Sequence, residues 1–228
     1  MVIAGLQKLS LIDYPSKVCS VVFTQGCLFR CAYCHNPELI PITAAGMPEA
    51  TVFNHLKERQ KFLDGVCITG GEPTLHRDLP AFIRKIKALG LLVKLDTNGS
   101  NPLMVESLIN ERLVDYLAMD LKYTWKKYDE IANTKNKTVI ENCRQTFGLI
   151  QFSGVDHEFR TTILPGVHRE QDFFEMAGYL KPGEKYFIQQ TQFVKNFDPA
   201  MSREIGFDVK ELAKKLREAF PQLLVEAR

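Results

Sequence analysis

Short apolar runs alternate along the chain with segments whose apolar residues recur every three or four positions. The runs are rich in β-branched and aromatic residues, which favours β-strands. The intervening segments have the spacing of amphipathic helices. Six strands are predicted, at residues 18–24, 66–69, 91–96, 116–121, 158–163 and 185–191.

Residues that start helices mark most of the intervening segments. Pro48 lies in the first turn of one segment, and Asn101 with Pro102 supplies a cap and a first residue for another. The spacing of Thr138 and Glu141 is typical of a capping box. Helices are predicted at residues 48–62, 78–89, 101–112, 138–151, 173–180 and 208–220.

Strands that alternate with helices pair in parallel through right-handed crossovers. The pattern therefore predicts an α/β fold, with six strand–helix units curving into a partial (β/α)6 barrel that has parallel strands inside and helices outside. The 228 residues, of which 45% are hydrophobic, supply enough core for one domain over residues 1–228. In such a barrel the chemistry lies at the carboxyl ends of the strands.

Charge and hydropathy narrow the range of partners. The net charge of +2 is spread through the chain, so no basic patch indicates nucleic-acid binding. No apolar run reaches the length of about 18 residues that a membrane span needs, and the first residues lack the pattern of a secretory signal. A soluble, cytoplasmic protein is expected.

Three closely spaced cysteines carry the strongest chemical signal. Cys27, Cys31 and Cys34 have the spacing CxxxCxxC. Iron–sulfur clusters are normally held by four thiolates, so three would hold three corners of a [4Fe-4S] cluster and leave one iron open. An open metal position is typical of a catalytic site.

Other interpretations of these cysteines stay open. Cys31 to His35 forms the CxxCH string of covalent haem attachment, and His35 could complete a four-ligand zinc site. A disulfide framework is disfavoured because the cysteines are few and nothing indicates secretion. The remaining thiols are interpreted as small buried hydrophobes: Cys19, Cys67 and Cys143.

Polar, glycine-rich strings follow several predicted strands. Gly70-Gly71-Glu72-Pro73 follows the second strand, Asp96-Thr97-Asn98-Gly99 ends the third and Asp120-Leu121-Lys122 closes the fourth. Because the carboxyl ends of parallel strands meet at one edge, these strings and the cysteine loop are expected to form one active site.

These strings together resemble those of radical S-adenosylmethionine (SAM) enzymes. The resemblance extends over most of the chain, including residues 7–15, 23–27 and 34–39, and it is strongest to the activating proteins of anaerobic ribonucleoside-triphosphate reductases. Glycyl-radical activases, among them pyruvate formate-lyase activating enzyme, carry strings similar to 96–99 and 120–122. The resemblance implies a partial barrel of the radical SAM type.

The resemblance also implies cofactors and their ligands. The three cysteines would bind a [4Fe-4S] cluster, and the methionine part of SAM would chelate the open iron. Glu72 would accept from the methionine ammonium, and Gly70 and Gly71 would let the backbone approach SAM closely.

Further contacts to SAM are implied at the later strand ends. Asp96, Thr97 and Asp120 would hold a monovalent cation beside SAM, although Asp96 alone could equally form a turn. Lys122 and Arg160 would lie near the SAM carboxylate. Tyr33 would border the adenine.

The implied activity is that of a radical SAM oxidoreductase working under anaerobic conditions. A low-potential donor would reduce the cluster, SAM would be cleaved to a 5′-deoxyadenosyl radical, and that radical would take hydrogen from a glycine Cα on a partner enzyme. The expected partner is an anaerobic ribonucleotide reductase. Two alternatives are a radical SAM enzyme acting on a small molecule or peptide, and a nonenzymatic iron–sulfur or zinc-binding interaction module.

Overall fold

One eight-stranded sheet forms the centre of the protein. The computed structural model describes residues 1–43, 46–134, 136–193, 197–204 and 206–228. The strands pair in chain order from β1 to β8. They are β1 (Ile3–Ser10), β2 (Cys19–Thr24), β3 (Gly65–Gly70), β4 (Leu92–Thr97), β5 (Tyr116–Asp120), β6 (Asp156–Thr162), β7 (Lys185–Gln189) and β8 (Leu224–Ala227).

The pairing confirms the predicted α/β architecture. Strands β2 to β8 are parallel to their neighbours, whereas β1 runs antiparallel to β2. Strands β1 and β8 stand at opposite ends of the order, so the sheet is not closed. The six predicted strands correspond to β2–β7, and β1 and β8 extend the sheet beyond the predicted count.

Among the residues that the structure describes, α-helices follow the strands as predicted, with one additional short α-helix. They are α1 (Glu49–Arg59), α2 (Leu79–Lys87), α3 (Pro102–Asn110), α4 (Tyr128–Ala132), α5 (Lys137–Phe152), α6 (Glu170–Ala177) and α7 (Val209–Ala219). Asn101 caps α3 as predicted, accepting from the Met104 amide at 3.3 Å. The prediction of a capping box at Thr138 is wrong. Asn136 caps α5 instead, because its side chain accepts from the Thr138 amide at 3.1 Å.

The core lies between the sheet and its helices. Strands β2 and β3 are buried over most of their length, as parallel strands covered on both faces must be. Cys19, Cys67 and Cys143 are fully buried, which confirms their interpretation as small hydrophobes. Trp125 stacks between Tyr128 and Tyr179, with ring centroids 5.1 and 5.9 Å away. Within the described ranges, no helix is long and apolar enough to cross a membrane.

Candidate active site

The carboxyl ends of the parallel strands surround a cavity of ≈ 260 Å³. The strand register brings this about, since Thr24 pairs with Gly70, Asp120 with Arg160 and Thr162 with Gln189. Most of the predicted site residues line the cavity: Cys27, Cys31, Tyr33, Cys34, Gly70, Gly71, Asp96, Thr97, Asp120, Lys122 and Arg160.

The cysteine loop is held against the sheet by backbone hydrogen bonds. The Cys27 amide donates to the Ile40 carbonyl at 3.0 Å, and the Cys34 amide donates to the Cys31 carbonyl at 2.9 Å to close a turn. The Cys27 sulfur accepts from the Phe29 amide at 3.4 Å and from Asn98 Nδ2 at 3.6 Å. These bonds place all three thiols along one wall of the cavity.

The donor set fits an iron–sulfur cluster better than a single zinc ion. Across the residues that the structure describes, no three His, Cys, Asp or Glu side chains converge on one metal-ion position. A zinc ion needs such convergence, whereas a cluster binds each thiolate through a different iron. His35, the fourth ligand of the zinc interpretation, accepts from the Gln192 amide at 3.3 Å.

Burial keeps the free thiols protonated. It raises the pKa of Cys27 to about 11 and that of Cys31 to about 12. Only thiolates bind metal, so these thiols ionise only when a positively charged metal centre lies beside them. Soft sulfur donors and a site that needs added positive charge are the chemistry expected of an iron–sulfur centre.

Gly70 and Gly71 bring the backbone against the cysteine loop. A Cβ on Gly71 would lie 2.2 Å from the Gly26 carbonyl oxygen. A Cβ on Gly70, whose φ is +117°, would lie 2.3 Å from the Thr24 amide nitrogen. Both positions exclude a side chain, so this wall of the cavity consists of bare backbone.

Glu72 differs from the other predicted ligands in its burial and in its hydrogen bonds. Its side chain is fully buried. Its Oε1 accepts from the Thr74 hydroxyl at 2.6 Å and the Thr97 hydroxyl at 2.8 Å, and its Oε2 accepts from the Asn98 amide at 2.6 Å. Burial raises the pKa of this carboxyl, and these hydrogen bonds oppose the rise. Glu72 therefore ties the loop after β3 to the loop after β4.

Two aspartates at the ends of the neighbouring strands β4 and β5 are bridged by an arginine. Arg160 donates from Nη1 to Asp96 at 3.2 Å and from Nε to Asp120 at 3.1 Å. Lys122 donates to the other oxygen of Asp120 at 3.0 Å, and Lys94 to the other oxygen of Asp96. Burial alone would raise the pKa of both carboxyls, but these cations hold it below the usual value.

Tyr33 lies beside Lys122 at the cysteine wall. The Lys122 ammonium is 3.5 Å from the Tyr33 hydroxyl and 5.6 Å from the ring centroid. Burial by itself would lower the pKa of Lys122, but the Asp120 carboxylate raises it well above the usual value. The lysine is therefore a fixed positive charge at the cavity.

The sequence analysis gives no specific role to several residues of the site. Asn98 and Gln189 belong to strand-end strings and line the cavity, Phe29 lines it from the cysteine loop, and Lys94 donates to Asp96. A signal was present for Lys94, because residues two apart on a strand share a face.

A second cavity of ≈ 530 Å³ adjoins the first. The two share four lining residues: His35, Arg160, Thr162 and Gln189. Its other walls come from the β1–β2 connection, including Ile12 and Asp13, and from the chain end at Arg228. The second cavity is therefore continuous with the cysteine site.

Comparison with known proteins finds a matching family model and similar proteins. The family model described as "Radical SAM superfamily" matches residues 21–177, more than half of the chain. A protein of Methanocaldococcus jannaschii assigned as a glycyl-radical enzyme activating enzyme is 36% identical over 193 residues, covering 83% of this chain and 80% of its own. The pyruvate formate-lyase-activating enzyme of Streptococcus mutans is 29% identical over 177 residues, covering 71% of this chain and 65% of its own.

Solved structures show the same fold. SuiB of Streptococcus suis, in a crystal structure bound to S-adenosylmethionine, superposes with a TM-score of 0.71 at 14% identity. The match covers 91% of this chain and 49% of SuiB, so the chain spans about half of that protein. At this identity the likeness concerns the fold alone.

Proposed function

Because the chain belongs to the radical SAM superfamily, we propose that it activates a glycyl-radical enzyme, using a [4Fe-4S] cluster and SAM to place a radical on a glycine of that partner. The observation that carries the proposal is the placement of three cysteines, two bare-backbone glycines and two cationic side chains, Lys122 and Arg160, around one cavity. The relatives from M. jannaschii and S. mutans support the activating role by their names. We propose that one radical SAM domain covers residues 1–228 and that the protein works in the cytoplasm.

In this proposal Cys27, Cys31 and Cys34 hold the cluster. The glycine wall at Gly70 and Gly71 receives SAM, and the cationic side of the cavity faces its carboxylate. When bound, the cluster and SAM together supply one-electron cleavage of SAM to a hydrogen-abstracting radical. The reaction needs no general base, in keeping with a cavity whose charged groups are locked in ion pairs.

The chain's own contribution is orientation and protection. Lys122 is fixed by Asp120, and Arg160 by both aspartates, so their positive charges need little reorganisation when SAM binds. Phe29 and Tyr33 are buried beside the thiols and keep water from the cluster wall. We place Tyr33 beside the adenine. Glu72, whose oxygens accept from Thr74, Thr97 and Asn98, would accept from the methionine ammonium only by exchanging one of these bonds.

We propose an anaerobic ribonucleoside-triphosphate reductase as the partner. The support is the likeness of residues 7–15, 23–27 and 34–39 to the activating proteins of those reductases. Pyruvate formate-lyase is the alternative partner, since the S. mutans relative is named for it. A low-potential electron donor would complete the system.

The test is electron paramagnetic resonance of anaerobically reconstituted protein with SAM, a low-potential reductant and each candidate partner. A glycyl-radical doublet on the reductase supports the full proposal. A doublet on pyruvate formate-lyase alone would identify that enzyme, and not the reductase, as the partner. Cluster signals that SAM perturbs, without any doublet, favour a radical SAM enzyme for a small molecule or peptide.

Matched cysteine variants separate enzymatic from nonenzymatic roles. Cys31→Ala should fold and form no 5′-deoxyadenosine, whereas Cys143→Ala, which removes a buried thiol away from the cavity, should retain turnover. Zinc in the purified protein, or iron that does not respond to SAM, would contradict the enzymatic proposal and support the hypothesis of a nonenzymatic interaction module.

A further inference from the structure

We infer that the chain supplies from its own side chains the positive charge that the family resemblance assigns to a monovalent cation, with Lys94 as the positioning residue, so that SAM binding needs no alkali ion. The inference rests on the proposed function, because it concerns the SAM site. It differs from the expectation that Asp96, Thr97 and Asp120 ligate a cation.

Each oxygen expected to ligate that cation already has a protein partner. The two oxygens of Asp96 accept from Lys94 and Arg160, and those of Asp120 accept from Arg160 and Lys122. The Thr97 hydroxyl donates to Glu72 at 2.8 Å and accepts from the Gly99 amide at 3.0 Å. As placed, this donor set does not fit an alkali ion.

Electrostatics oppose a further cation at the same place. The Arg160 guanidinium lies between the two carboxylates, where an alkali ion would have to sit to bridge them. Close carboxylates repel unless a cation separates them, and Arg160 meets that need. An added ion would approach the positive charges of Arg160 and Lys122 at the cavity, while Lys94 remains paired with Asp96, and like charges this close repel.

The charged side chains around Asp96 and Asp120 carry one surplus positive charge. Lys94, Arg160 and Lys122 face two aspartates. Glu158 lies 3.9 Å from Arg160 and 3.5 Å from Arg228, so counting Glu158 and Arg228 adds one charge of each sign. Glu158 also accepts from the Tyr116 hydroxyl at 3.0 Å. A single surplus charge at the cavity complements the single carboxylate of a bound amino acid group.

Lys94 is the member whose position most needs explanation. It projects from the middle of β4 and is 2% exposed, two residues before Asp96 on the same face. Its ammonium lies 3.9 Å from the Cys67 sulfur, next to it in the strand register. A buried ammonium is costly unless paired, and its carboxylate partner lines the cysteine cavity. Lys94 thereby holds Asp96, which in turn holds Arg160.

The experiment measures SAM affinity of the cluster-loaded protein by anaerobic calorimetry. Titrations in tetramethylammonium buffer are compared with titrations in potassium and in sodium at equal ionic strength. The wild-type dissociation constant should agree within about twofold across the three cations, which is well under the tenfold step of about 1.4 kcal/mol. A saturable gain of affinity with potassium or sodium would overturn the inference.

The variant Lys94→Met tests the assigned residue. It should weaken SAM binding on the order of tenfold in tetramethylammonium, the size expected when one member of a charge-assisted network is removed, and potassium should restore part of the loss. Rescue by a cation is a result that a purely structural lysine would not produce. Unchanged affinity in Lys94→Met, or a loss that no alkali ion relieves, contradicts the inference.

Controls separate this result from the proposed function. Lys85→Met removes an exposed lysine paired with Glu49 and should change neither affinity nor cation response. If the wild type binds SAM only with potassium, the inference fails and the proposed function stands. If the wild type binds no SAM with any cation, the proposed function fails and the inference falls with it.

Discussion

Replacing Glu72 with glutamine tests whether its carboxylate braces the site. Its Oε2 accepts from the Asn98 amide at 2.6 Å, and Oε1 accepts from both hydroxyls and the Thr74 amide. A glutamine amide can keep one of these acceptors, but its NH₂ group must then point at an N–H or O–H donor. Rotating the amide by half a turn faces the NH₂ group to three donors instead of one.

The expected cost follows from the better rotamer of Glu72→Gln. One charge-assisted hydrogen bond to the Asn98 amide is lost, worth about 1.5–3 kcal/mol, and a buried donor left unpaired costs about 1–3 kcal/mol. Removal of the buried charge, whose burial raises the pKa of Glu72, and some relaxation of the loop recover part of this sum. We expect the free energy of unfolding to fall by about 2–4 kcal/mol.

Urea unfolding followed by tryptophan fluorescence measures the loss. Trp125 is the single tryptophan of the sequence and is stacked between two tyrosines, so it reports unfolding directly. Glu106→Gln, an exposed position on α3, is the matched control and should lie within about 0.5 kcal/mol of wild type. A Glu72→Gln protein as stable as this control would refute the brace and leave the carboxylate free for a ligand.

Further expectations concern glycines and a buried histidine. For Gly71→Ala we expect the free energy of unfolding to fall by about 1–3 kcal/mol and the protein to take up no iron, because the added Cβ would overlap the Gly26 carbonyl. Normal iron content would contradict this. Gly148→Ala, in open space on α5, should instead gain about 0.5–1 kcal/mol in the same urea assay. Burial lowers the pKa of His168 from 6.5 to about 4, so its stabilising contribution is complete above 6.5 and is lost as the pH falls toward 4. Wild type should therefore lose roughly 3 kcal/mol more than His168→Gln over that interval, and parallel pH profiles of the two proteins would show that folding does not lower the pKa of His168.

Several features were predictable because their signals are local. Short runs of β-branched and aromatic residues predicted strands β2–β7. The position of Asn101 before a proline predicted the cap of α3. The spacing of the three cysteines by itself indicates an iron–sulfur cluster. The two outer strands carry weaker signals, since β1 includes Gly5 and β8 has four residues. Asn136 displaced Thr138 as the cap of α5 because both types of side chain can cap, and only backbone geometry selects between them.

The α/β class, the strand-end strings and the thiols follow from the order of amino acids alone, because periodicity, spacing and residue chemistry are properties of neighbouring positions. Which groups meet in space depends on the three-dimensional fold. Arg160 lies 64 positions from Asp96 and 40 from Asp120, yet it bonds to both. Glu72 proved to be tied to the next loop, and Lys94 to a cavity aspartate. Such contacts depend on strand register and on the direction of each side chain, which the pairing of distant segments sets.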